Sequence, residues 1–227
     1  MTTDATSAVL PDAIYSALRI SVLTQVIAPG DSVTESAVAL RFGVARPTAK
    51  TAIERLVAEG LLRREKHQTA RVPRLSRGDI VDLFDSRAIV ESAAVAALTS
   101  DGALPADALA AHRALLADET SGFATHDIAF HRALVAGQPS PRLARMHGLL
   151  MGEIELCIGQ VQANHLLTAE QVGAQHQGIL DAVTAGDADL ASRLTREHIT
   201  GARDRLLAHF DLLAGPGAPS PFDSESP

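Results

Sequence analysis

Apolar positions in the first third of the chain recur at helical spacing, broken by turn residues. Ile14, Leu18 and Val22 repeat every fourth position and predict a first helix that the Ala28-Pro29-Gly30 turn stops. Thr34 suits an N-cap for a short second helix, which Gly43 ends because glycine adopts positive φ cheaply. In the third, Ala49, Ala52, Ile53 and Leu56 fall on one face at i, i+3, i+4 and i+7. Arg46, Thr48, Lys50 and Thr51 lie nearer the other face, and Gly60 closes the helix. The following LLRREKHQTARVP has apolar ends around a charged middle, which predicts two short strands joined near His67 to Thr69.

From Asp79 to about Leu213 the period is helical almost throughout, with breaks at 101–105, Gly122, 139–141, Asn164 and Gly186. About six helices result. The character changes near VPRLSRGD, where Pro73 ends the apparent strand and Ser76 opens a helix. The expected organisation is therefore a winged helix-turn-helix over 9–75 and an all-α helical bundle over 76–214. Tails of Ser, Pro, Gly and Ala character at 1–8 and 215–227 are expected to be disordered.

Composition supports a mostly α class, since apolar residues make up 46% while aromatics reach only 3%. No basic segment leads into an apolar run and no apolar stretch has membrane-spanning length, so a cytoplasmic protein without membrane contact is expected. Cys157, the only cysteine, lies in the apolar run EIELCIG and reads as a buried thiol. Charge is divided unequally. Up to residue 77 there are 11 Lys and Arg against 7 Asp and Glu; beyond it the counts are 9 and 20. A basic front joined to an acidic back suits a polyanion-binding module attached to a domain with another task.

Helix, short helix, turn, helix and hairpin give the third helix access to the major groove of duplex DNA. Arg46 and Lys50, with Thr34, Thr48 and Thr51, are placed to meet bases or phosphates, and Arg63, Arg64, Lys66 and Arg71 of the wing to meet the sugar-phosphate backbone. Single-strand or RNA binding relies on stacking aromatics; this segment offers only Tyr15 and Phe42, both at core-like positions.

The back half carries a second chemistry. In DIAFH, Asp127 and His131 are one helical turn apart and point the same way. His131 precedes Leu134 and Val135 by three and four residues; His176 follows Val172 by four and precedes Ile179 by three; His198 follows Leu194 by four. All three histidines share the inward faces of their helices. Burying them with a carboxylate is costly unless they satisfy one another or share a cation, and one Asp with three His suits Zn²⁺, Ni²⁺, Mn²⁺ or Fe²⁺. The histidines at 67, 112, 126, 147, 165 and 209 lack this spacing and read as surface or ordinary structural residues.

These motifs together resemble the GntR superfamily of bacterial transcription regulators, in its FadR-type branch with an FCD effector domain. VTESAVALRFGVARPTAKTAIERLVAEGLLRRE is similar to the family's winged-helix block, and DIVDLFDSRAIVESAAVAAL to its opening effector helix. DIAFHRALV resembles the segment with its Asp and first His, and QHQGILDAVTAGDADLASRLTREHI its closing His-bearing helices. The resemblance implies a homodimer on a pseudo-palindromic operator, with repression relieved or remodelled by a small organic acid at a metal held by Asp127, His131, His176 and His198. It also implies that Arg87 helps to hold the acid. The chain departs from the family pattern at Ser36, where many members have Arg, at Ala45 in place of the usual cap Ser, at the reversed Pro47-Thr48, and in a wing tip, HQT, without Gly. Two alternatives use the same residues: a regulator with a purely structural metal, and a metal-dependent enzyme of the helical domain with Glu153 or Glu155 as base.

Overall fold

The computed structural model describes residues 5–118 and 122–214, in two compact units divided between Arg74 and Leu75. Most of the two expected tails, 1–4 and 215–227, lies outside the described residues, while helix α1 begins at Ala5, inside the segment expected as a tail.

The first unit contains α1 (Ala5–Leu23), β1 (Ser32–Val33), α2 (Glu35–Phe42), α3 (Arg46–Ala58) and β2 (Ala70–Arg71). Ile14, Leu18 and Val22 of α1 are buried with Ala49, Ala52, Ile53 and Leu56 of α3, so the i, i+4 stripe of one helix packs on that of the other. α1 ends at Leu23, before the Ala28-Pro29-Gly30 turn that was expected to stop it. Gln25 takes a φ of 58° there, and the Thr24 hydroxyl donates to the Ile20 carbonyl at 2.7 Å. Thr34 caps α2 by accepting from the Ala37 N–H at 3.1 Å, and Gly43 ends it at a φ of 65°. A capping hydroxyl of this kind stabilises a helix by about 1 kcal/mol.

The wing is smaller than the expected hairpin. Arg63 and Arg71 exchange a pair of backbone hydrogen bonds at 2.8 and 2.9 Å, while the regular pairing of β2 is with β1, antiparallel, Ser32 opposite Arg71. β1 went unpredicted because two residues give no period to read. At the wing tip His67 holds a φ of 65°, a conformation that glycine adopts more cheaply.

The second unit contains α4 (Arg77–Ser100), α5 (Ala106–Ala117), α6 (Ala124–Ala136), α7 (Pro141–Ala163), α8 (Ala169–Thr184) and α9 (Ala188–Ala214). These six helices begin and end close to the breaks read from the sequence. Ser76 and Asp79 form a reciprocal capping box for α4, and Thr168 and Gln171 one for α8. α4 runs along α9 and links two apolar clusters. Leu83, Phe84 and Ala88 pack with Met151 and Ile154 of α7 and Ile199 and Leu206 of α9. Val95 and Leu98 pack with Phe130 and Leu134 of α6 and Ile179 and Val183 of α8. The turns of α4 between those clusters carry Arg87 and Glu91, both 0% exposed.

The start of α6 is fixed by a close approach from α7. Gln162 accepts from the Ala124 N–H through Oε1 at 2.7 Å and lies where a Cβ on Gly122 would stand, 2.4 Å away. Gly122 has a φ of 76°, so only glycine combines this backbone with that space. α6 carries Asp127 and His131.

Candidate functional site

Four helices deliver the polar interior of the second unit. α6 supplies Asp127 and His131 one turn apart; α8 supplies His176, α9 His198, and α4 Arg87 and Glu91. The four residues singled out by spacing come together: one ligand atom from each of Asp127, His131, His176 and His198 lies within 4.8 Å of all the others, and all four residues are buried. Oδ1 of Asp127 is 3.2 Å from Nε2 of His176, 3.3 Å from Nε2 of His198 and 3.6 Å from Nε2 of His131. Tetrahedral ligands at about 2.0–2.1 Å from one ion lie roughly 3.3 Å apart, so these separations suit a shared centre. All three rings turn the same nitrogen inward.

The remaining ring nitrogens point outward. Nδ1 of His131 is 2.5 Å from Oε2 of Glu91, an ion-pair contact in which neither atom makes a hydrogen bond among the described residues, whereas Nδ1 of His198 is hydrogen-bonded to Oε1 of Gln175 at 2.7 Å. The outer nitrogen of His176 has no hydrogen-bond partner, and its ring is held instead by stacking on Phe130, centroids 3.9 Å apart and planes inclined by 14°. Oδ2 of Asp127 is also without a hydrogen bond, and Arg87 Nη2 lies 3.8 Å from it. Arg87 donates through Nε to Glu91 Oε1 at 2.9 Å, which leaves both of its Nη atoms buried and without hydrogen bonds. Buried donors of this kind are costly unless a partner arrives.

Burial opposes ionisation of Asp127, but the adjoining His131 charge and hydrogen bonds from all three histidines hold its carboxyl well below the usual carboxylate range. Glu91 is held low in the same way, by Arg87 and His131 against burial. His131 is raised: burial works against its protonation, Glu91 and Asp127 favour it, and they outweigh both burial and Arg87. Burial drives His176 down to about 3 and lowers His198 as well. Arg87 and an imidazole whose protonation is favoured thus face two carboxylates.

Two members of this network were missed by sequence reasoning. Glu91 accepts from His147 Nε2 at 2.7 Å as well as from Arg87, and His147, expected to be an ordinary histidine, is 2% exposed inside the bundle. The available signal was the four-residue spacing of Arg87 and Glu91 in an otherwise apolar α4 stripe.

In the first unit, Arg46 is exposed at the start of α3, whose cap Ala45 provides no side-chain hydrogen bond. Thr48 is half-buried, Thr51 donates to the Pro47 carbonyl at 3.1 Å, and exposed Lys50 lies 3.5 Å from Glu54. Arg63 and Lys66 are exposed on the wing. Arg64 is tied to Glu35 at 3.0 Å, and Arg71 donates to the Gly30 carbonyl at 2.9 Å. Thr34 keeps its capping role at the start of α2.

Comparison with known proteins matches residues 10–72 to the model of bacterial regulatory proteins of the gntR family, and residues 82–201 to the FCD domain. An HTH-type transcriptional regulator in an unstable DNA locus of Streptomyces ambofaciens is 31% identical over 219 residues, covering 88% of this chain and 87% of its own. The "Probable D-xylose utilization operon transcriptional repressor" of Paenarthrobacter nicotinovorans is 24% identical over 75% of this chain and 76% of its own. Among solved structures, a GntR protein from Rhodococcus sp. RHA1 superposes with a TM-score of 0.72 at 22% identity, over 88% of this chain and 99% of that one. E. coli McbR/YncC gives 0.69 at 16% identity, over 89% and 99%. The two structural likenesses concern the fold.

Proposed function

The chain belongs to the GntR family of bacterial regulatory proteins, with an FCD domain behind its helix-turn-helix, and from that premise we propose that it is a repressor that binds a pseudo-palindromic operator as a homodimer and responds to a small carboxylate at the centre formed by Asp127, His131, His176 and His198. Transcription regulation replaces the enzyme reading, because the family and the relatives are regulators.

The observation that carries the effector reading is the convergence of one carboxylate oxygen and three imidazole Nε2 atoms beside a guanidinium whose two terminal nitrogens lack partners. The donor set fits a divalent ion, Zn²⁺ or Ni²⁺ first and Mn²⁺ or Fe²⁺ also. Bound there, such an ion supplies positive charge and open coordination positions for a carboxylate. The protein's own share is to exclude water, orient the rings, and offer Arg87 Nη1 and Nη2 as donors to the acid.

In the first unit, Arg46, Thr48, Lys50 and Thr51 supply the groove contacts, Thr34 a contact at the start of α2, and Arg63, Arg64, Lys66 and Arg71 those of the wing. Of these, Arg46 and Lys66 have no ion pair among the described residues, so DNA phosphates compete with nothing for them. Response to the acid is linkage: an acid that prefers one arrangement of the dimer shifts the spacing of the two recognition helices. A coupling of about 1–3 kcal/mol changes operator affinity by about 5–150-fold. No helix among the described residues is long and apolar enough to cross a membrane, which accords with action on cytoplasmic DNA.

The test measures metal content of purified protein by elemental analysis, then operator affinity by fluorescence anisotropy with and without small organic acids. Metal near one equivalent per chain and an acid-dependent change in affinity support the reading. Metal-free protein that takes up none on reconstitution removes the centre.

A further inference from the structure

We propose that Glu91 is a positioning residue for the metal centre: its carboxylate, set against Nδ1 of His131, favours that ring's proton on the outer nitrogen and leaves Nε2 to ligate. The inference rests on the metal reading given above and adds a residue outside the ligand set.

Neutral imidazole has one N–H and one lone pair, and the partner of the outer nitrogen decides which nitrogen faces the centre as an acceptor. Oε2 of Glu91 stands 2.5 Å from His131 Nδ1, an ion-pair contact without the alignment of a hydrogen bond, and negative charge beside that nitrogen favours a proton there over a lone pair. The carboxylate is itself fixed from two other helix positions, by Arg87 Nε at 2.9 Å and His147 Nε2 at 2.7 Å, both on Oε1. All of these groups are buried, so water does not compete for either oxygen. Gln175 plays the matching role for His198 with a neutral oxygen. His176 has only ring stacking. Glu91 is therefore the one charged orienting group on the three rings, and it joins the centre to α4 and α7.

A merely structural Glu91, present as the counter-ion of Arg87, has no bearing on the His131 tautomer. The full-length protein, stripped with chelator and reloaded with Zn²⁺ alone, separates the two roles. Long-range ¹H–¹⁵N spectra of the zinc-loaded parent are expected to show His131 protonated at Nδ1 and metal-bound at Nε2. Zinc affinity of Glu91→Gln, from competition with a chromophoric chelator, is expected to fall by about 10–100-fold, the cost typical of removing an outer partner of a metal-bound His. A neutral glutamine removes the negative charge beside Nδ1, and its N–H₂ opposes a proton there.

His131 ligating through Nδ1, or carrying its proton on Nε2, overturns the proposal even with zinc bound. So does a folded Glu91→Gln whose zinc affinity stays within about twofold of the parent, far from the loss expected. If Glu91→Gln fails to fold, the parent spectrum decides alone. A parent that takes up no zinc overturns this proposal together with the functional reading, whereas the first two results leave that reading standing.

Discussion

Nε2 of His131 lies 3.0 Å from Nε2 of His198, with the two rings stacked at 4.9 Å between centroids. Two imidazole nitrogens meet at this distance when one is protonated and donates to the other, or when both direct lone pairs at an ion. Against burial, Glu91 and Asp127 favour protonation of His131, which suits the first arrangement. Ligation of the proposed ion requires the second, so proton release on metal addition is an expected outcome, read with a pH indicator in weak buffer.

Adding Zn²⁺ or Ni²⁺ to metal-free protein is expected to raise the unfolding temperature. At free metal of about 100 times Kd the native state gains about 2.7 kcal/mol. His176→Ala is expected to lower bound metal in elemental analysis and to abolish most of that gain. An unchanged stoichiometry removes His176 from the ligand set.

Arg46→Ala is expected to weaken operator binding with no loss of helix content by circular dichroism. Its side chain is exposed at the first turn of α3 and makes no ion pair among the described residues. If it meets a phosphate, the slope of log affinity against log salt falls by about 1; if it meets guanine, the cost is about 1–3 kcal/mol and one operator position loses discrimination. Titrations at several salt concentrations separate the two, and unaltered binding removes the assignment.

Arg87 needs two substitutions, because it is bonded to Glu91 as well as proposed to hold an incoming acid. Arg87→Ala strands a buried carboxylate and is expected to cost about 3–5 kcal/mol of stability, read from urea denaturation. Arg87→Lys keeps the charge but loses the planar fork, so it is expected to hold the fold better while weakening the acid's effect on DNA binding. An unaltered acid response in folded Arg87→Lys reassigns the arginine to structure.

Cys157 is 1% exposed, and burial, with Glu153 adding to it, pushes its thiol up to about 12. At pH 8 the native thiol is neutral and is expected to resist alkylation until the protein unfolds. The same shift has a sign for stability. The unfolded chain loses this proton first, so stability falls as pH rises from the ordinary thiol range towards 12, by at most about 1.4 kcal/mol per pH unit. Rapid labelling of native protein by a thiol reagent at pH 8 contradicts the burial.

Much of the helical bundle was legible because its signals are local. Ser76, Pro141 and Gly186 punctuate helices through backbone geometry and caps, which depend on a few adjacent residues. The four clustered side chains were legible for a related reason: Asp127 and His131 share a helical turn, and His176 and His198 sit on stripes that periodicity aims inward. Glu91 and His147 were not, because their role depends on three helices meeting, and a lone polar residue on a stripe does not announce its partner. β1 escaped for want of length. The early end of α1 escaped because Gln25 takes positive φ without being glycine.

Phe130 lies flat against His176, whose outer nitrogen has neither a hydrogen bond nor an ion pair among the described residues. The swivel of that donor is therefore set by hydrocarbon contact, whereas its two companions are steered by oxygen atoms. Exchanging Phe130 for a differently shaped apolar residue would retilt one donor of the proposed centre while every donor atom stays in place. If that centre holds an ion, such an exchange opens a route to a different metal preference that never passes through a broken donor set.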